Sequence, residues 1–172
     1  AVTMLDAFTF QTNNSTDTIT AVTSTFSGGS SGGLSLVEIT NDAGTVVYGS
    51  VSNPSSDAFT ISLTTNITVS TTTTQYKIRI TPKSHAAMPA PPGSTYTVTG
   101  TITDWTGSNN KSGSDTGSAT VTIDNLSPGA VSGISGSTGS GKLDVLFSKI
   151  IGTTSSSSIT ISYGGTTRTI NV

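Results

Sequence analysis

The chain has 172 residues, of which 32% are hydrophobic and only 9% are charged, and its net charge is -2 at neutral pH. Ordinary globular domains carry roughly 25% charged residues, so Ser and Thr must supply most of the polar surface here. The seven Lys and Arg residues form no basic patch, which argues against a nucleic-acid backbone or an anionic membrane as a partner.

The abundance of Thr, which is β-branched, favours strands over helices, and 19 glycines supply turns. The chain has no Cys, which excludes disulfides and thiolate metal sites. No apolar stretch approaches the roughly 20 residues of a membrane span. The sequence opens at Ala1 without Met, as a processed secreted protein or a trimmed chain does; we adopt the first interpretation and expect an extracellular or cell-surface location.

The first predicted strand covers Val2 to Phe10, and a Thr-rich strand from Thr18 to Phe26 follows it. Alternation along the first strand predicts one apolar face, interrupted by Asp6, that carries Val2, Met4, Phe8 and Phe10. The glycine-rich run 28–33 then interrupts the strand pattern.

A β-hairpin is predicted next, with strands at 34–40 and 45–51 around the turn Asn41-Asp42-Ala43-Gly44, because Asn, Asp and Gly tolerate positive φ. The strands after it are indicated by alternating apolar residues: Phe59, Ile61 and Leu63; Tyr76, Ile78 and Ile80; Tyr96, Val98 and Ile102; Ala119, Val121 and Ile123. The segment 85–93 contains three prolines and is predicted to be a loop, as is the polar stretch 107–117. About seven short antiparallel strands in roughly 125 residues match the immunoglobulin-like count.

The segments 96–100 and 118–125, with Ser127-Pro128-Gly129 after them, resemble the Ig-like, cadherin-like or fibronectin-like modules that occur in tandem on bacterial and archaeal surface proteins. The resemblance implies an immunoglobulin-like antiparallel β-sandwich over residues 1–125. Because cadherin-like modules bind calcium at their boundaries, it also implies a calcium site formed by Asp104, Asp115, Asp124 and Asn125. Calcium accepts such carboxylate and amide oxygens, and the alternative is that these are ordinary turn and strand-end residues.

Residues 126–172 offer about three strands, at 143–147, 158–163 and 166–172, where a fibronectin-like module needs about seven. We therefore expect an incomplete C-terminal β-sheet, whose apolar face packs on the first domain or on a neighbouring subunit. Both ends of the chain are predicted to be assembly strands, through the residues Val2, Met4, Phe8, Phe10, Ile170 and Val172.

Two motifs suggest catalysis or nucleotide binding, and neither has the context it needs. The run Gly136 to Lys142 is nearly a phosphate-binding loop, but Leu143 stands where the magnesium-binding hydroxyl belongs. Gly28 to Gly32 fits the Gly-x-Ser-x-Gly pattern of hydrolases, but a strand is predicted after it in place of a helix, and His85 is the only His. We therefore expect that the protein is not an enzyme.

Two functions remain after these exclusions. The first is a structural subunit of an extracellular filament, fibre or surface layer, a homopolymer built by β-strand exchange or addition. The alternative is an adhesin-type module that recognises carbohydrate or a surface protein through loops or through the aromatic residues Tyr48, Tyr96, Trp105 and Tyr163. Asn-x-Ser/Thr triplets mark candidate glycosylation sites at Asn13, Asn14, Asn66 and Asn110.

Overall fold

The computed structural model describes residues 2–89, 95–124, 131–136, 143–147, 158–163 and 166–171; side chains are described up to Ile123, with His85 and 95–96 excepted. The chain forms two compact units, Ala1–Leu126 and Ser127–Val172. Within the described ranges the only helices are two single 3-10 turns, Ser31–Gly33 and His85–Ala87. The all-β prediction is confirmed.

The first unit contains eight strands joined in one antiparallel sheet. They are β1 (Thr3–Phe10), β2 (Asp17–Phe26), β3 (Leu34–Asn41), β4 (Val47–Ser52), β5 (Ala58–Val69), β6 (Thr74–Pro82), β7 (Thr95–Thr106) and β8 (Thr120–Asp124). Their order in the sheet is β1-β6-β3-β4-β5-β2-β7-β8. Two four-stranded halves meet at a single ladder pair, Gly49 of β4 with Leu63 of β5. The sheet bends at that join and nearly closes on itself as a sandwich-like fold.

The central pairs of this sheet follow the immunoglobulin pattern, and its outer strands do not. In that seven-stranded pattern the first strand lies beside the second, and the seventh lies beside the sixth. Here β1 pairs with β6, and β7 pairs with β2. The sandwich is therefore immunoglobulin-like in its central pairs, with β1 and β7 exchanged between the halves and β8 added outside β7.

The core lies between the two halves and is built from alternate residues of the strands. Ile39, Ile61, Ile78 and Ile80 are completely buried, while Arg79, between the last two, is part-exposed. A strand side chain points to the opposite face from its neighbours, so this alternation follows directly from the sequence. The predicted inward faces of β5 and β6 are confirmed.

The predicted inward face of β1 is half wrong. Phe8 and Phe10 are buried, but Val2 and Met4 are 53% and 49% exposed. The register against β6 shifts between Met4 and Asp6, so Leu5 is the extra residue of a β-bulge and is itself fully buried. The bulge reverses the side on which the residues before it point.

The hairpin of β3 and β4 is confirmed. Gly44 has a φ of +69°, which glycine adopts without strain. The side-chain oxygen of Asn41 accepts hydrogen bonds from the backbone amides of Thr45 at 2.8 Å and Val46 at 3.0 Å, and these bonds hold the turn closed.

The second unit contains four described strands where three were predicted: β9 (Val131–Gly136), β10 (Leu143–Phe147), β11 (Ser158–Tyr163) and β12 (Thr166–Asn171). They form two separate antiparallel hairpins, β9 with β10 and β11 with β12. The missed strand, β9, is rich in Ser and Gly and carries few apolar residues. Ile170 lies in β12, and Val172 lies outside the described residues. A strand begins at Leu143, where a phosphate-binding loop would require a helix.

Candidate functional site: the seam between β1 and β7

The two halves of the sandwich approach each other a second time where β1 faces β7, and no strand ladder joins them there in the described part of the chain. The outer side of β7 pairs with β8 only from Thr95 to Thr99. We call the line between β1 and residues 100–106 of β7 the seam. A side chain on Gly100 would come within 2.9 Å of the Leu5 side chain across it.

Residues 107–119, here called the closing segment, follow β7 and have no regular secondary structure. The segment begins at a buried carboxylate, Asp17 at the start of β2. Asp17 accepts hydrogen bonds from the amide of Ser108 at 2.8 Å, from the Ser108 hydroxyl, and from the amide of Thr18 at 2.7 Å. These bonds, that of the Ser108 hydroxyl foremost, lower the pKa of Asp17.

The other end of the closing segment is held by Asp115. One oxygen of this carboxylate accepts the amide of Ile102 on β7 at 3.0 Å, and the other accepts the amide of Gly117 at 3.2 Å. The first bond satisfies a backbone donor on the unpaired part of β7. Asp115 therefore takes the place that a neighbouring strand would occupy in a ladder.

Asp6 of β1 meets Asp115 within the seam. Its side chain is 5% exposed, and its Oδ2 atom has no hydrogen-bond donor. Burial, together with the negative charge of Asp115, raises the pKa of Asp6 to about 6, although the Ala7 amide acts in the opposite direction. Two carboxylates in contact need a proton or a cation between them, because both are acceptors.

Two cavities of about 500 and 430 Å³ are both lined by Trp105, together with Phe10, Gln11 and Ser112. The indole packs edge-on against Phe10 with ring centroids 5.6 Å apart. Phe10 also contacts Phe8 and Tyr76, so the floor of this region is continuous with the aromatic core.

The four residues of the predicted calcium site are only partly described. Asp104 is exposed and bonds to Lys111 Nζ at 2.6 Å and to the Trp105 amide at 2.8 Å; these bonds, that of Lys111 foremost, lower its pKa. Asp115 contacts Asp6, whereas the side chain of Asp124 and all of Asn125 lie outside the described residues. Among the residues described, no three His, Cys, Asp or Glu side chains converge as metal ligands. Calcium at that set of four stays a prediction.

Sequence reasoning noted Asp6 only as an interruption of an apolar face and did not select it as a site residue. The signal was present: a carboxylate on the inward side of an alternating strand needs a partner when it is buried. Its partner, Asp115, is 109 positions away in sequence and could not be inferred from spacing.

The candidate glycosylation residues Asn13, Asn14, Asn66 and Asn110 are all exposed, which is the accessibility that modification requires. Of the four aromatic residues predicted as a sugar-binding platform, the two whose side chains the structure describes, Tyr48 and Trp105, pack against different residues. Tyr48 packs against Tyr76 with ring centroids 5.7 Å apart, while Trp105 packs against Phe10. The side chains of Tyr96 and Tyr163 lie outside the described set.

The Gly-x-Ser-x-Gly run forms a structural turn. Ser30 is 1% exposed and its hydroxyl lies 2.6 Å from that of Ser27, while the carboxylate of Asp57 accepts the amides of Gly29 and Ser31. A single 3-10 turn leads from it into β3. The strand–turn–helix context of a hydrolase nucleophile is not formed.

Comparison with known proteins gave no match among family models, curated proteins or solved structures. In the part of the chain that the structure describes, no helix has the length and apolar character needed to cross a bilayer.

Proposed function

We propose that the chain is a structural subunit of an extracellular filament, fibre or surface layer, and that the subunits join when a strand of one adds to the sheet of the next. The observation that carries this proposal is the pair of strand edges at the seam. β1 has a described ladder partner on one side only, and residues 100–106 of β7 have none on their outer side. Strand edges of this kind accept an added strand through main-chain hydrogen bonds.

The closing segment supports the proposal because it covers these edges without forming a ladder with them. Its contacts to β7 include the hydrogen bond that the Ile102 amide donates to the Asp115 carboxylate. Side-chain hydrogen bonds of this kind can break individually. An incoming strand would replace these contacts with regular backbone pairing. The displaced segment is polar and rich in Gly and Ser, so its exposure to water costs little.

The C-terminal unit supplies strands of the right kind. Each of its two described hairpins pairs only within itself, and a two-stranded hairpin is marginally stable alone. Both ends of the chain were predicted to be assembly strands, and we propose that β12, which contains Ile170, is the donor and that β1, which contains Met4, Phe8 and Phe10, is the acceptor. The low charge of the chain, 9% charged residues, reduces repulsion between packed copies.

The exposed apolar residues at the start of β1 allow a direct test. We expect the purified chain to form polymers that light scattering and negative-stain microscopy detect at high concentration. The double variant Val2→Lys and Met4→Lys should abolish them, because like charges on an edge strand oppose strand addition. Both side chains are exposed, so the fold should tolerate the change.

The matched control is the double variant Val46→Lys and Val47→Lys. These valines are 42% and 39% exposed and lie at the β3–β4 hairpin, away from the seam. We expect this variant to polymerise as the unmodified chain does. A monodisperse monomer at high concentration, or equal polymerisation by both double variants, would contradict the proposal.

The cavities beside Trp105 favour a second candidate, an adhesin-type module that binds carbohydrate. Their linings combine the indole ring with amide and hydroxyl side chains, including Gln11, Asn109 and Ser112. Sugar sites use the same combination, since a ring packs on the sugar face and polar groups bond to its hydroxyls. Glycan-array binding that Trp105→Ala abolishes would favour this function; no binding by the folded chain would exclude it.

A further inference from the structure

We propose that Asp6, Asp115 and the carbonyl oxygen of Ala7 form a binding site for a divalent cation, with calcium as the ion that fits it best, and that the ion fastens the closing segment to β1. The site is separate from the strand addition proposed above and can be tested whether or not the chain polymerises. It shares only Asp115 with the calcium set predicted from the sequence.

The first observation is an unsatisfied buried oxygen. Asp6 is 95% buried, with 5% of its surface exposed, and its Oδ2 atom has no hydrogen-bond donor. The neighbouring carboxylate, Asp115, cannot supply one while it is ionised, and it is already committed to the amides of Ile102 and Gly117. A buried anion beside a second anion costs free energy that a cation between them removes.

The second observation is the space beside Gly117. The point where a Cβ atom would lie on this glycine is 3.5 Å from Asp6 Oδ1, 3.6 Å from Asp115 Oδ1 and 3.9 Å from the Ala7 carbonyl oxygen. Three oxygen atoms from two segments of the chain, among them the second oxygen of the Asp6 carboxylate, therefore lie within 4 Å of one point that no side chain occupies. A methyl group at residue 117 would occupy it.

The chemistry of the three oxygens selects the ion. Two carboxylates and a backbone carbonyl are hard ligands, and calcium accepts them in irregular geometry with water completing its coordination. Magnesium requires a near-ideal octahedron and rarely takes backbone carbonyls. With only two charged ligands, we expect a dissociation constant of roughly 10⁻⁴ to 10⁻³ M, the range of extracellular calcium modules.

Terbium luminescence tests the site directly, since Tb³⁺ binds in calcium sites and is excited by a nearby indole. Trp105 is the only Trp in the chain and lines the same cavity as Asp115 and Gly117. We expect sensitised emission from the full chain at pH 7.5 that saturates at one ion per chain. Calcium should displace the Tb³⁺, and millimolar calcium should raise the melting temperature.

Three variants locate the ion. Asp6→Asn and Asp115→Asn should weaken Tb³⁺ binding at least tenfold. Gly117→Ala should weaken it without removing a ligand, which keeps the test informative if Asp115→Asn fails to fold. The control, Asp42→Asn, removes an exposed carboxylate at the β3–β4 turn, outside both calcium sets, and should bind Tb³⁺ as the unmodified chain does.

Two results would overturn the proposal. The first is binding by Asp6→Asn or Gly117→Ala that equals that of the unmodified chain. The second is a melting temperature that rises as the pH falls from 7 to 5 while calcium has no effect at either pH. In that case the two carboxyl groups share a proton and hold no metal ion.

Discussion

The two places where the halves of the sandwich meet are built in different ways. At the β4–β5 join, Gly49 pairs with Leu63 through the backbone, and the absence of a side chain on Gly49 lets the strands approach. At the seam, β1 and β7 meet through side chains, and the closing segment is held by the carboxylates of Asp17 and Asp115. The first join depends on shape alone, whereas the second depends on charge.

This difference has a consequence for how the two joins respond to their surroundings. A backbone pair contains no titratable group, so protons and metal ions leave it unchanged. The seam contains two carboxyl groups in contact, and the charge of one of them, Asp6, changes with pH. We therefore expect the sandwich to be permanently closed at β4–β5 and conditionally closed at the seam.

The largest effect is expected at the rigid join. A Cβ atom on Gly49 would lie 2.6 Å from the carbonyl oxygen of Ser62 and 3.1 Å from the Cα of Leu63. Both atoms belong to the backbone and cannot move aside, so Gly49→Ala should lower the free energy of unfolding by about 3 kcal/mol. Chemical denaturation measures the change. Gly28→Ala is the control, since nothing lies within 4 Å of its Cβ position, and an equal loss there would refute the steric explanation.

The next largest effect is the pH dependence that the seam gives to the free energy of unfolding, measured without divalent cations. The pKa of Asp6 is about 6 in the folded chain against 3.8 for an isolated aspartate side chain, so the folded state binds more protons between these values. Stability should therefore fall as the pH rises from about 4 to 7, by at most about 3 kcal/mol. Asp6→Asn should remove this dependence. An unchanged profile in that variant would show that another group is responsible.

A smaller effect is expected where the closing segment begins. Asp17→Ala removes the acceptor of the Ser108 and Thr18 hydrogen bonds and should cost about 1–2 kcal/mol, together with faster proteolysis between residues 107 and 119. Because the pKa of Asp17 is lowered, its contribution is fully present above the ordinary pKa of a carboxyl and is lost as the pH falls from there through the lowered value. Asp42→Ala, which removes an exposed partner of Lys77, is the control. Equal proteolysis rates would contradict the anchoring role.

The smallest effect is expected for the pair of Asp104 and Lys111. Both side chains are exposed, at 56% and 44%, and ion pairs in water contribute little. Asp104→Asn should therefore leave the melting temperature unchanged within error in low salt. A clear decrease would show that Lys111, whose ammonium lies 6.0 Å from the Trp105 ring centroid, helps to fasten the closing segment.

Local patterns predicted much of the fold. The turn from Asn41 to Gly44 and the alternation of Tyr76, Ile78 and Ile80 are decided by φ preferences and by the period of a strand, so they were correct. The predicted inward direction of Val2 and Met4 was wrong, because the bulge at Leu5 arises from pairing with the partner strand β6. The strand β9 was missed because it carries little hydrophobic signal.

The sequence alone determined that this is an all-β chain with a polar, weakly charged surface, because composition and alternation act on neighbouring residues. Only the tertiary structure decided which strands are neighbours, since the exchange of β1 and β7 between the halves depends on contacts far apart in the chain. It also brought Asp6 to Asp115. The alternation along one strand indicates that a carboxylate is buried, but the packing of the whole sandwich determines its partner.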